Sequence, residues 1–332
     1  MSNRRGALVT LLVLIAGASG STFAYAATET PLCQGQPATV VGTPGDDTLS
    51  GTPGDDVIVG LAGDDTLSGL EGDDRVCGKD GLDTILGGAG NDRVNGGQDG
   101  DPLVAGGSGA DRLFGGPGNG WDTLEGGFGD DLISGGKGIG DKATYANATQ
   151  GVVADLRANT ATGQGDDVLR TIEWLEGSNF ADELDGDDGF NNLWGLSGAD
   201  RLIAGAGSGN LIGGPGADII EGGPDGDSMF GEGGDDTLTG NGTGVLNDDF
   251  FGGAGDDEMW GSDGQDAFWA RSPVCCGDPE SAGADTVHAF GEPVAAPDVI
   301  QIDDGVGDDF ADCGADGGGA AADPGDTLVN CN

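Results

Sequence analysis

From Gly42 to Asn95 the chain returns every nine residues to an aspartate followed two positions later by a branched apolar residue. The aspartates are Asp47, Asp56, Asp65, Asp74, Asp83 and Asp92, and their apolar partners are Leu49, Ile58, Leu67, Val76, Ile85 and Val94. Glycine opens each unit and recurs three residues later, as in Gly60-Leu-Ala-Gly63-Asp-Asp65-Thr-Leu67-Ser. A strict short period of this kind specifies a repeat architecture, with a thin core renewed in each unit.

The unit has a simple geometry. Neighbouring side chains of a strand point to opposite faces, so the triplet Thr66-Leu67-Ser68 turns Leu67 inward and its neighbours to water. Two units make one coil, with one strand on each of two facing parallel sheets. Stacking then lines Asp47, Asp65 and Asp83 along one edge and Asp56, Asp74 and Asp92 along the other. Successive coils lie ~4.8 Å apart. Two carboxylates at about 5 Å repel by roughly 3 kcal/mol at an effective dielectric near 20. A ladder of such pairs would undo a fold whose net stability is only ~5–15 kcal/mol. A divalent cation between rungs reverses that sign. Carboxylates and turn carbonyls are hard oxygen donors, and on a flexible backbone they select calcium over magnesium.

The pattern organises most of the chain. A first block runs over 42–141; after its six unbroken units it loosens by one residue near Gln98–Asp101 and two near Asn119–Asp122, then resumes at Asp111 and Asp131. Over 142–176 the period vanishes and short alternating stretches, Thr144-Tyr-Ala-Asn and Gly151-Val-Val-Ala-Asp-Leu-Arg, read as a β-rich insert. Ile172-Glu-Trp-Leu-Glu reads as a further strand or a short helix. A second block over 177–269 carries Asp182, Asp200, Asp218, Asp227, Asp236, Asp257 and Asp266, with Asn191 and Gly209 in the acidic position of two units. Residues 27–41 read as an N-terminal cap and 270–332 as an acidic C-terminal cap, which a solenoid needs to cover its open ends.

Units such as Gly87-Gly-Ala-Gly-Asn-Asp92-Arg-Val94-Asn and Gly252-Gly-Ala-Gly-Asp-Asp257-Glu-Met259-Trp resemble the hemolysin-type calcium-binding, or RTX, nonapeptide. The resemblance covers both blocks, and the insert also resembles segments found between such blocks. It implies an all-β fold, a parallel β-roll, with each ion held between turns by paired aspartates and backbone carbonyls. The expected metal ligands are then Asp47, Asp56, Asp65, Asp74, Asp83, Asp92, Asp111, Asp131, Asp182, Asp200, Asp218, Asp227, Asp236, Asp257 and Asp266. Many family members leave the cell through a one-step exporter that reads an uncleaved C-terminal signal, and they rarely contain cysteine. This chain departs on both points. Arg4 and Arg5, the apolar run Ala7–Ala16 and Ala24-Tyr-Ala26 read as a cleavable signal over 1–26, for Sec-type export to an extracellular location.

Charge and cysteine content narrow the rest. Twelve Lys and Arg against 59 Asp and Glu give a formal net charge of −47, which disfavours nucleic acid and anionic membranes. No segment after the signal is apolar enough to span a bilayer. Six cysteines in an exported chain favour disulfides; placement pairs Cys33 with Cys77 and Cys313 with Cys331, leaving Cys275 and Cys276 open. One histidine, His288, excludes a His-Glu-x-x-His zinc site, and no G-x-S-x-G elbow is present. The expectation is a non-enzymatic, secreted calcium-binding protein with a structural or surface-interaction role. The alternative is an adhesin that binds extracellular glycan or another surface through its flat outer sheet. A short hydroxyl ladder at Thr48, Thr66 and Thr84, with Ser50 and Ser68 beside it, resembles ice-binding surfaces or reflects the ordinary β propensity of threonine, and the outward Trp260 and Trp269 form either a contact patch or packing beneath the C-terminal cap.

Overall fold

The computed structural model describes residues 30–242, 247–262, 266–269, 284–289, 299–301, 309–313, 319–321 and 326–331. The expected export signal, Cys275 and Cys276 lie outside the described residues. Among the described residues every regular element is a β-strand. The chain alternates between two parallel sheets, one running from Thr48–Ser50 to Gly319–Ala321 and the other from Val40–Val41 to Thr327–Val329.

Register follows the sequence period. Leu49 aligns with Leu67 and Leu67 with Ile85 in the first sheet; Ile58 aligns with Val76 and Val76 with Val94 in the second. Ile58, Leu67, Val76, Ile85 and Val94 are all fully buried, so the central residue of each triplet forms the core. The core widens toward the C-terminus, where Phe250 and Phe268 stack at 4.5 Å between ring centres. Strands in the first block outrun the expected triplet: Thr66–Glu71 and Thr84–Ala89 pair over their whole length. The extension depends on a left-handed backbone just after the opening glycine. Gly88 takes φ 121°, and Leu70, at the equivalent place one coil earlier, is held at φ 83°, a conformation that costs a non-glycine residue roughly 1–2 kcal/mol.

The aperiodic stretch 142–176 feeds the same two sheets. Lys142–Thr144 and Trp174–Glu176 pair in parallel in the first sheet, so the segment read as strand or helix is a strand. Val153–Asp155, Thr160–Thr162 and Asp166–Arg170 enter the second sheet with antiparallel pairings between them. The alternation around Thr144 gives way to a turn after that residue, which sends Tyr145 into the core at 1% exposure. At the C-terminus, Thr286–His288, Val299–Gln301, Phe310–Asp312 and Thr327–Val329 add rungs, so the tail lengthens the solenoid as well as closing it.

Two disulfides tie the ends. Cys33–Cys77 fastens an N-terminal hairpin, Leu32–Cys33 against Gln36–Pro37, onto the outer face of the second sheet, where Cys33, Ala38, Val59 and Cys77 form a small separate core. Cys313–Cys331 joins the last coils. Trp269 stacks on Phe251 and Trp260 on His288, so both tryptophans pack along their own sheets.

Tyr145 has a specific task. Its hydroxyl donates a buried 3.0 Å hydrogen bond to Asp167 Oδ2, while Asp167 Oδ1 accepts the N–H of Asp131. Tyr145→Phe leaves a buried carboxylate oxygen without a partner and is expected to cost about 1–3 kcal/mol. Denaturant unfolding at saturating calcium measures this, and an unchanged midpoint would contradict the role.

Candidate metal centre: the aspartate ladders

The turn that precedes each strand places its aspartate at the sheet edge with the side chain directed into the next coil. The N–H of Asp47 donates to Asp65 Oδ1 at 2.8 Å, that of Asp65 to Asp83 at 2.9 Å, and that of Asp83 to Asp101 at 2.8 Å. The same link continues through Asp122 to Asp141. On the opposite edge it runs from Asp56 through Asp74, Asp92, Asp111 and Asp131 to Asp167, and again from Asp182 through Asp200, Asp218, Asp236 and Asp257 to Asp285. Asp227 and Asp266 belong to the first edge and meet there through Asp248.

The structure therefore brings all fifteen aspartates named from sequence into two ladders. It adds Asp101, one nine-residue step after Asp92, and Asp122, Asp141, Asp167, Asp248 and Asp285, which that step passes over. Five of these six keep the local signal, an apolar residue two positions after the acid: Leu124, Ala143, Leu169, Phe250 and Val287 are all buried. Asp101 keeps the step but not that signal, because Pro102 delays the buried Val104 by one residue. Asn191 and Gly209 do occupy aspartate positions, aligned with each other between Glu173 and Asp227. Over those coils the first edge has no aspartate.

One oxygen of each carboxylate is thus committed to a backbone N–H; the other is the chemically informative one. Oδ2 of Asp65, Asp74, Asp83, Asp92, Asp101, Asp111, Asp131, Asp200, Asp218, Asp236 and Asp257 is buried and has no hydrogen-bond partner. A buried carboxylate oxygen left so costs several kcal/mol unless a charge meets it. Glycine at the head of the unit makes the space: a methyl on Gly87 would lie 2.5 Å from Asp92 Oδ2 and 2.7 Å from the Gly106 carbonyl oxygen, and one on Gly231 would lie 2.3 Å from Asp236 Oδ2 and 2.5 Å from the Gly252 oxygen. Carboxylate and carbonyl oxygens of successive coils therefore converge. Among the described residues no three His, Cys, Asp or Glu side chains group together; the donors are stacked carboxylates completed by turn carbonyls, an all-oxygen set that suits calcium.

Aspartates at the block starts are satisfied differently. Asp47 Oδ2 accepts the N–H and hydroxyl of Thr43, and Asp56 Oδ2 those of Thr52. Ser178 donates its N–H and hydroxyl to Asp182. Electrostatics track this division. Burial pushes the Asp101 and Asp257 carboxyls up to about 8, Asp92, Asp131, Asp200 and Asp236 to about 7, and Asp65 and Asp218 to about 6, with neighbouring aspartates adding to the rise at most of them. At Asp56, burial is outweighed by hydrogen bonds from Thr52 and Thr39, and its carboxyl falls below the ordinary value.

Parallel sheets joined by acidic, glycine-headed turns define a β-roll of the cation-stabilised class. The family model of the RTX calcium-binding nonapeptide repeat matches residues 41–76, 71–101, 103–121, 117–138, 176–211, 212–242 and 243–272. These matches cover more than half of the chain, and the protein belongs to that family. No curated protein matches it.

Two outcomes follow from the ladder. The raised carboxyls hold protons in the metal-free fold that the unfolded chain has already released near 3.8. That fold is therefore supported in acid and loses support as pH rises through about 6 to 8, whereas calcium requires the ionised forms and displaces their protons. In chelator, the β signal in circular dichroism is expected to fall across that window, and adding calcium to weakly buffered protein at neutral pH is expected to acidify it. A chelator signal that grows with pH would contradict the assignment. Secondly, Asp101→Asn and Asp257→Asn are expected to lower the calcium count in native mass spectrometry, while Asp56→Asn, at a carboxylate already satisfied by threonines, leaves it unchanged.

Proposed function

We propose that this is a secreted, non-enzymatic protein that folds on binding several calcium ions after export and serves a structural or surface-interaction role outside the cell. The observation that carries the reading is the row of buried, unpartnered Oδ2 atoms. Calcium, when bound, supplies the positive charge that these oxygens lack. The chain's own residues do the rest: glycines clear the space, turn carbonyls complete the donor set, and Asp Oδ1 atoms latch one coil to the next. Where calcium is scarce, the stacked carboxylates repel and oppose folding; extracellular modules typically bind in the ~10⁻⁴–10⁻³ M range, which matches folding after export.

Two disulfides, one near each end, support an oxidising compartment. Among the described residues no helix is long and apolar enough to cross a membrane. His288 lies in a strand against Trp260, which supports a packing role over a catalytic one.

The test is a circular dichroism titration together with native mass spectrometry. Millimolar calcium is expected to produce the β signal, with many ions bound. Signal already complete in chelator, or fewer than about five ions per chain, would sink the reading.

A further inference from the structure

The outer face of the second sheet carries a feature that the calcium ladders do not use. Arg75, Arg93 and Arg112 lie in direct register, one per coil. Each follows a ladder aspartate in sequence, and each side chain points outward because the next residue, Val76, Val94 or Leu113, is fully buried. The chain has only twelve Lys and Arg against 59 Asp and Glu, yet three of the twelve are stacked here. Among the described residues none of the three makes an ion pair, although five such pairs occur elsewhere. Arg170 and Lys79 extend the same face, and the acid within these strands, the exposed Asp80, stands five residues from Arg75 at the far end of its strand. A concavity of about 350 Å³ opens where the three arginines meet Asp73, Asn91 and the ladder aspartates Asp74 and Asp92, whose carboxylates are the ones calcium would neutralise.

Three arginines stacked at the ~4.8 Å spacing of the coils repel one another as the aspartates do. A counter-charge repeating along the solenoid axis makes the row favourable. The row is narrow, a single register position wide at the start of strands Arg75–Asp80, Arg93–Gly97 and Arg112–Gly116, and stands beside the exposed acidic turns at Asp55 and Asp73. A bilayer or a nucleic-acid duplex is wider than that and would press on those acids. Single-stranded nucleic acid requires aromatic stacking platforms, and this face offers only Phe114. A single extended sugar chain advances by a comparable rise per ring and fits the width. Arginine's planar fork suits its carboxylate or sulfate groups.

We propose that the Arg75–Arg93–Arg112 row is a binding site for a linear anionic polysaccharide. The site rests on the surface-interaction role proposed above. It is present only when the coils are stacked, and calcium on the flanking edges removes the acids that compete for the arginines.

The test titrates the full chain at fixed free calcium with dextran sulfate, using neutral dextran as the control. Saturable, salt-sensitive binding of the sulfated polymer is expected. R75Q/R93Q/R112Q is expected to weaken it at least tenfold, and R75K/R93K/R112K to retain most of it. Circular dichroism and calcium count are read on every variant; should the triple Gln variant fold poorly, Arg93→Gln alone carries the comparison, with a loss of several-fold. The site is overturned by equal binding in the Gln variant, by absence of wild-type binding, or by equally tight neutral dextran. Substitutions that abolish self-association, or binding confined to anionic vesicles, would overturn it as well. A chain folded in chelator would refute the calcium reading while leaving polymer binding to be read separately.

Discussion

The rest of the molecule depends on the repulsion between stacked, buried carboxylates. A parallel solenoid brings identical positions of successive coils within about 5 Å of each other, so any charge in the repeat meets its own copies. Here the repeated charge is also inside: Asp83 is 0% exposed, and Asp65, Asp74 and Asp92 are each 1% exposed. Backbone N–H donors offset part of the cost through Oδ1. The cost left on Oδ2 is what a bound cation would offset, and it gives a net charge of −47 a use beyond solubility.

Places where the ladder stops show what replaces a cation. Asp167 meets the Tyr145 hydroxyl, and Asp182 meets Ser178 and the N–H of Val152. Along the first edge, Glu173, Asn191 and Gly209 stand where aspartates would. There the side chains just after them take over the cohesion between coils. Trp174 packs edge-on against Trp194 with ring centres 5.5 Å apart, Trp121 adds a third ring at 5.3 Å, and Asn210 donates a 2.7 Å bond to Asn192. Ring contacts of this kind contribute about 0.5–1.5 kcal/mol each without requiring an ion. The insert region is therefore a splice held by direct protein contacts between two stretches of aspartate ladder, built into the same pair of sheets.

Much of this was legible in the residues. Period, inward Leu, Ile and Val, the two edges and both described disulfides followed from spacing, because a solenoid repeats one local decision many times. The ladder members that counting missed, such as Asp122 and Asp167, sit beyond insertions of a kind that leave the stacking intact: the coil absorbs extra residues in its turn, so alignment in space survives a shift in sequence. Nor was the second role of the carboxylate visible. That Oδ1 latches a neighbouring N–H while Oδ2 stays open depends on the side-chain rotamer and on the turn of the adjacent coil, neither of which the period encodes. Tyr145 was hidden for a similar reason. Its partner lies 22 residues away, and the alternating pattern around Thr144 reads as strand although the chain turns there.

The nine-residue unit constrains its own positions unequally, and that inequality explains how one scaffold can carry different surfaces. The opening glycine, the aspartate and the central apolar residue are held by close approach, charge and burial. The first and third residues of the triplet face outward and answer only to their copies one coil away. In the first block the second sheet uses the first of these positions for Arg75, Arg93 and Arg112. In the second block the first sheet uses the third position for an apolar stripe in which Phe230 and Phe251 stack at 4.6 Å with their planes nearly parallel. Stacked rings satisfy one another, since each face is covered by the next ring. Stacked guanidinium groups do not, because each adds to the repulsion felt by the next. An outward ladder of like charge is therefore a more informative surface than an outward ladder of rings: the rings are explained by the fold, and the arginines require something beyond it.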